Sequence, residues 1–182
     1  LAVVCGDRVR WVRARGEGAA GRITEVRTRA TLLPRLNLRG ETEPVAANLT
    51  QLVVVLAPLP AADFGLCDRY LAAAEWAGLK ACIVANKSDL ADPSGTLAAI
   101  LDEYVRIGYP VLRASKRTSD GIAELTARLA GETSVLVGQS GVGKSSLINR
   151  LVPGVEARVE EVSRATEFGR HTTSTSSLYR LP

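Results

Sequence analysis

Residues 138–145 read GQSGVGKS, and this stretch decides the fold. Gly138, Gly143, Lys144 and Ser145 fill the pattern G-x-x-x-x-G-K-[ST], which describes a phosphate-binding loop (P-loop). Its glycines let the backbone turn its N–H groups inward around phosphate oxygens, at a helix N-terminus whose dipole already favours negative charge. Gln139, Ser140, Gly141, Val142 and Ser146 complete the expected cradle. Lys144 is expected on the β and γ phosphates and the Ser145 hydroxyl on Mg²⁺. Ordinary residue frequencies produce such a match by accident on the order of once in a hundred chains of this length. The flanks make accident rarer still: SVLVG (134–138) reads as a buried strand and 144–151 as a helix.

Working towards the N-terminus, the same alternation recurs. LVVVLA (52–57), ACIVAN (81–86) and VLRAS (111–115) read as strands; residues 68–79, 96–107 and 121–129 carry apolar side chains at helical spacing. Strands alternating with amphipathic helices predict an α/β domain, a parallel sheet wrapped by helices. Directly after ACIVA comes NKSD, Asn86, Lys87, Ser88 and Asp89, which resembles the N-K-x-D motif of GTPases. A carboxylate offers two parallel acceptors that match the N1–H and exocyclic amine of guanine, and adenine has no such paired donors. Asp89 therefore selects the ring, Asn86 is expected to tie its loop to the phosphate loop, and the stem of Lys87 to lie across the base. Taken alone, NKSD also fits an ordinary strand-end turn with a helix cap. ASKRTSDGIAEL (114–125) resembles the S-A-K loop of the same proteins, with Lys116 where alanine is usual. Ser115 and Lys116 either touch the base or form a solvated turn leading into a helix.

Asn86 precedes Gly138, the reverse of the ordinary order in GTPases. Each strand-loop-helix unit is locally complete, so moving the chain termini preserves the same sheet and site. This permuted order, with VAANLTQLVVVL (45–56), CDRYLAAAEWAGL (67–79) and GRHTTSTSSLYRLP (169–182), resembles the RsgA (YjeQ) family over nearly the whole chain. Thr50 departs from the aspartate expected there, outside the nucleotide site. The resemblance implies a P-loop NTPase of the GTPase class with circularly permuted motifs, binding GTP or GDP with Mg²⁺ and acting in late maturation of the small ribosomal subunit, whose RNA stimulates turnover. It implies that residues 162–175 are the first switch, where Thr172 or Thr173 closes on Mg²⁺ and the γ-phosphate. His171, the only histidine, either orients the attacking water or is structural. The family also carries, after the first switch, a D-x-x-G motif and then a zinc module, and the sequence stops at Pro182 before either. A fragment of a longer protein is expected, with SSLYRLP (176–182) as an edge strand and zinc confined to the further module.

The 182 residues carry a net charge of +4, unevenly spread. Residues 1–39 hold nine arginines against Asp7, Glu17 and Glu25, whereas residues 40–182 are slightly acidic. Residues 3–33 read as short strands separated by GEGAAG (16–21), and PRLNLRGETEP (34–44) as a linker, which places the domain boundary near Val45. Residues 1–44 resemble the family's small all-β OB-fold with its first strand cut away. Arginines 8, 10, 13, 15, 22, 27 and 29 either contact ribosomal RNA phosphates or form a solvated face; Trp11 alone is available for stacking, which favours backbone recognition. The absence of methionine predicts that Leu1 is not the natural start. No run approaches a membrane span and no signal peptide is legible, so a cytoplasmic monomer without membrane or DNA partners is expected. Cys5, Cys67 and Cys82 are odd in number and widely spaced, as plain buried thiols are. Two rivals stay open from sequence: an ATP-using P-loop kinase or ATPase, and a non-enzymatic RNA-binding module held together by nucleotide.

Overall fold

The computed structural model describes residues 3–13, 21–36, 39–92, 94–155 and 177–182. Among the described residues two compact units divide the chain, the first taking residues up to Leu49 together with 177 and 178, the second residues from Thr50 to 155 together with Tyr179–Pro182.

In the first unit β1 (Val9–Val12) pairs antiparallel with β2 (Arg22–Val26), and β3 (Leu32–Leu36) pairs antiparallel with β4 (Thr42–Ala47). The second hairpin corrects the linker expected over residues 34–44. Pro34–Leu36 and Thr42–Pro44 lie in its two strands, and Pro34 stands opposite Pro44 where the ladder register shifts. Prolines cannot donate to a ladder and are tolerated at such irregularities. Asp7 and Arg29 pin this unit: the guanidinium donates from Nε at 2.7 Å and from Nη2 at 2.9 Å to the two carboxylate oxygens. That pairing holds the Asp7 carboxyl below the usual carboxylate range. Arg29 is thus committed to structure, and Arg10 pairs with Glu25 at 3.2 Å. Arg8, Arg13, Arg22 and Arg27 are exposed, as is Trp11.

The second unit is built on a four-stranded sheet in the order β7 (Val111–Arg113), β6 (Lys80–Ala85), β5 (Gln51–Leu56), β8 (Ser134–Val137), every pair parallel. All six residues of β5 are buried, as a central strand covered on both faces requires. Its odd-numbered residues Val53 and Val55 join Cys82, Val84 and Leu112 in a core with Leu125 and Leu129 of α3 (Ile122–Leu129) and Leu147 and Leu151 of α4 (Lys144–Leu151). Each such leucine contributes about 1.5–3 kcal/mol by leaving water. The even-numbered residues face the other side, where α1 (Phe64–Trp76) and α2 (Thr96–Arg106) are joined by the Tyr104 hydroxyl donating to Asp68 at 2.7 Å.

Helix α1 begins four residues before its expected start because Asp63 caps it, accepting from the Leu66 N–H at 2.8 Å. Thr50 is absorbed structurally: its hydroxyl donates to Glu132 and accepts from the Thr133 N–H. Cys67 and Cys82 are buried thiols, and desolvation pushes Cys67 up to about 11. The strand expected over 176–182 is not formed by residues 177–182, which pair with no strand among the described residues; Leu181 packs instead against the α3–α4 core. A strand needs a neighbour, and the described sheet ends at β8. No helix among the described residues is long and apolar enough to cross a membrane.

Candidate functional site

The parallel register brings the two strongest motifs to one end of the sheet. Leu56 of β5 lies opposite Ala85 of β6, and Val54 opposite Val137 of β8. Asn86 and Gly138 therefore leave their strands on either side of β5. The Asn86 N–H donates to Leu56 O at 2.8 Å, and Gly138 comes so close to the Val55 carbonyl that a Cβ there would collide with it. With φ at +137°, Gly138 is a position that only glycine fills without strain.

From Gly138 the chain passes through Gln139, Ser140, Gly141 (φ +80°), Val142 and Gly143 (φ +97°) into α4. Gly143 is the N-cap and offers no side chain, so the first-turn N–H groups at Lys144, Ser145 and Ser146 are left for an external acceptor. The Lys144 ammonium curls back over the loop, donating to Gly138 O and Gln139 O at 2.8 Å each. Desolvation lowers its pKa below the usual lysine value, which an anion in the cradle would reverse. Gln139 reaches outward: its Oε1 accepts from the Asp63 N–H at 2.9 Å, joining the loop to the cap of α1. The glycine-lined turn, uncapped helix end and desolvated cation fit a nucleotide phosphate chain and its Mg²⁺.

The base-reading candidates are tied to this loop by two struts. Asn86, 2% exposed, donates from Nδ2 to Val142 O at 2.8 Å. Its Oδ1 is buried without a hydrogen-bond partner. Lys87 adopts φ +57°, unusual for a side chain of its size, and its ammonium donates to Leu59 O at 2.7 Å and Gly141 O at 2.8 Å. Ser88 N–H donates to Ala114 O at 3.1 Å, which sets the Asn86–Asp89 turn beside the loop after β7.

That loop holds the third motif. Ser115, fully buried, donates from Oγ to Asp89 Oδ1 at 2.5 Å and accepts from the Arg117 and Thr118 N–H groups at 3.1 and 3.3 Å. Arg117 Nε stands 3.0 Å from Asp89 Oδ2. The Ser115 hydroxyl first, with the Arg117 charge assisting, holds the Asp89 carboxyl below the usual carboxylate range. Gly121 (φ +68°) closes the loop against Arg113 O, and Arg150 of α4 reaches Ser119 Oγ at 2.6 Å. Lys116 is exposed to solvent. Ser115 thus acts on Asp89 from beneath, a buried role that the sequence motif does not specify. Arg117 was not legible, since nothing in its spacing tells that the turn returns it to Asp89.

His171, Thr172 and Thr173 lie outside the described residues. A cleft of about 360 Å³ between α2, β7 and α3, lined by Val105, Tyr109, Glu124 and Arg128 among others, carries none of the motif residues. A smaller cavity of about 60 Å³ lies behind the Asn86–Asp89 turn.

Residues 26–182 match the family model described as RsgA GTPase. The small ribosomal subunit biogenesis GTPase RsgA of Azotobacter vinelandii is 47% identical over the whole chain, which covers 53% of that protein. Its counterpart in Alcanivorax borkumensis is 46% identical over 99% of the chain, covering 51% of its own length. Among solved structures, YjeQ from Thermotoga maritima superposes with a TM-score of 0.68 at 34% identity, over 88% of this chain and 55% of that one. YloQ, described as a circularly permuted GTPase, gives 0.60 at 30% identity over 84% of this chain and 51% of its own. The chain spans about half the length of the curated relatives it matches.

Proposed function

This chain belongs to the RsgA GTPase family, and from that membership we propose that it supplies the base- and phosphate-binding parts of a GTP hydrolase acting in biogenesis of the small ribosomal subunit. The observation that carries the proposal is the pair of struts, Asn86 to Val142 and Lys87 to Gly141. They make one rigid seat of a phosphate loop and a guanine-selecting carboxylate, despite the permuted chain order.

Asp89, ionised and aligned by Ser115, accepts from the N1–H and exocyclic amine of guanine. Lys87 braces the loop while its stem flanks the ring. The N–H groups of residues 139–146 surround the phosphates, and Lys144 exchanges two neutral carbonyl acceptors for phosphate oxygens that need its charge as the bond to the γ-phosphoryl breaks. Ser145 is the residue at the helix start that would hold Mg²⁺, which when bound neutralises developing charge on the phosphates. Thr172 or Thr173 is proposed to close on the same phosphate and His171 to orient water, with water as the acceptor in phosphoryl transfer.

The N-terminal unit, which runs through β4 to Leu49 and so past the boundary expected near Val45, is proposed as the ribosomal RNA contact of an OB-like domain, followed by the GTPase domain from Thr50. Exposed Arg8, Arg13, Arg22 and Arg27 and the exposed Trp11 support phosphate contacts with limited stacking. The proposed setting is a cytoplasmic monomer that works with ribosomal particles.

Asp89→Asn in the full-length chain tests the core of this proposal. Asparagine presents a donor where guanine also donates, so preference should move from guanosine to xanthosine diphosphate by at least about tenfold. Unchanged guanine preference, or equal displacement by adenosine diphosphate in the unaltered protein, would sink it in favour of an adenine-using P-loop enzyme. GTP turnover with and without small ribosomal subunits separates the hydrolase from an RNA-binding module that uses nucleotide only for stability.

A further inference from the structure

We propose that Arg117 is a latch on the base-reading carboxylate, competing with the base for Asp89 Oδ2. The inference rests on Asp89 reading guanine and concerns what controls access to it.

Asp89 is reached from two directions. From beneath, the buried Ser115 hydroxyl holds Oδ1 at 2.5 Å, and Ser115 is itself fixed by the Arg117 and Thr118 N–H groups. From the solvent side, Arg117 Nε lies 3.0 Å from Oδ2. The Asp89 side chain is only 11% exposed, so the window through which a base can arrive is narrow, and the Arg117 head stands in it. The two ends of Arg117 differ sharply. Its backbone is anchored to Ser115 Oγ at 3.1 Å, whereas its side chain is 75% exposed. A fixed root and a solvated head make a swinging arm.

Guanine requires both carboxylate oxygens at once, one for each of its parallel donors. Ser115 does not conflict with this, because it approaches from the protein side. Arg117 does, because its N–H already engages Oδ2, one of the two oxygens that the donors of guanine need. Opening the latch is cheap: an ion pair exposed on one side is weak and is screened by salt. Closed and open arms are therefore both populated, and apparent affinity is reduced by the open fraction. A pair of that strength reduces it roughly 2- to 6-fold.

The test is a cycle in the full-length chain: unaltered protein, Arg117→Ala, Asp89→Asn and the double variant, each titrated with guanosine and xanthosine diphosphates, with association rates followed by a fluorescent analogue. Arg117→Gln serves as a second variant that keeps the stem, and thermal unfolding checks that every form folds. A latch predicts that both Arg117 variants bind guanosine diphosphate about 2- to 6-fold tighter, mainly through faster association. It also predicts that Arg117→Ala has under twofold effect on xanthosine diphosphate once position 89 is asparagine. If Asp89→Asn switches base preference but the Arg117 variants bind guanosine diphosphate equally or more weakly, the latch is overturned while the base-reading assignment stands. If Asp89→Asn leaves the preference unchanged, both fall.

Discussion

Substituting Asn86 by alanine separates the two roles of this side chain, holding the site and burying polar atoms. The substitution removes the 2.8 Å bond from Nδ2 to Val142 O, stranding a buried carbonyl at a cost of about 1–3 kcal/mol. It also removes Oδ1, which is already buried without a partner, and that relieves a penalty of about 1–3 kcal/mol. The terms oppose one another, so the net change in unfolding free energy should fall within about 1 kcal/mol of zero, well below the loss usual for a side chain 2% exposed. Nucleotide affinity has no such compensation. Only the Lys87 strut then joins the base loop to the phosphate loop, and affinity should fall roughly tenfold or more for the loss of about 1.4 kcal/mol of preorganisation. Asn86→Asp is the control, because it sets a carboxylate oxygen against Val142 O and should destabilise by about 3–5 kcal/mol. Urea unfolding without nucleotide gives the stabilities and titration calorimetry the affinities. An alanine variant destabilised by 3 kcal/mol or more would refute the reasoning, since Oδ1 could not then be a liability.

Gly138→Ala should cost at least about 3 kcal/mol, because φ +137° disfavours any side chain and the new Cβ overlaps the Val55 carbonyl; chemical denaturation checks this, and a neutral outcome would mean that the turn can relax. Lys144 supplies a pH signature. Its pKa is lowered by desolvation, and phosphate binds the charged form, so nucleotide affinity should decline as pH rises through that lowered value, below the usual 10.5. The lowered pKa also means that the unfolded chain holds this proton more tightly, so the unliganded fold gains stability as pH rises across the same window. Lys144→Ala should abolish the decline in affinity and weaken binding roughly 10- to 150-fold at neutral pH; titrations across pH give both readings.

The nucleotide half of the chain was legible because its chemistry is local. A turn of three positive-φ glycines followed by lysine and a helix needs few distant partners, and β5, β6 and β8 announce themselves as short apolar runs. Asn86 and Lys87 were recognisable by residue type, but only the folded sheet gives them Val142 and Gly141 as acceptors. Where partners are far apart in sequence, pattern reading ran out. The stretch from Pro34 to Pro44 has the composition of a linker, yet both its ends lie in strands because Thr42–Ala47 finds Leu32–Leu36 to pair with. Arg29 looked like another basic surface residue until Asp7, 22 positions away, claimed it. Helix α1 was begun too late because the Asp63 cap sits behind a proline-rich loop.

The central place of β5 has a consequence for how the molecule is made. During synthesis β5 and β6 emerge well before β8, and the ring-choosing turn is complete while the phosphate-gripping half, roughly fifty residues downstream, is still untranslated. At typical elongation speeds that interval lasts about 3–10 seconds. Through those seconds one flank of a ribbon that is apolar from Leu52 to Leu56, later covered by β8, stands open to whatever nascent or finished polypeptide passes by.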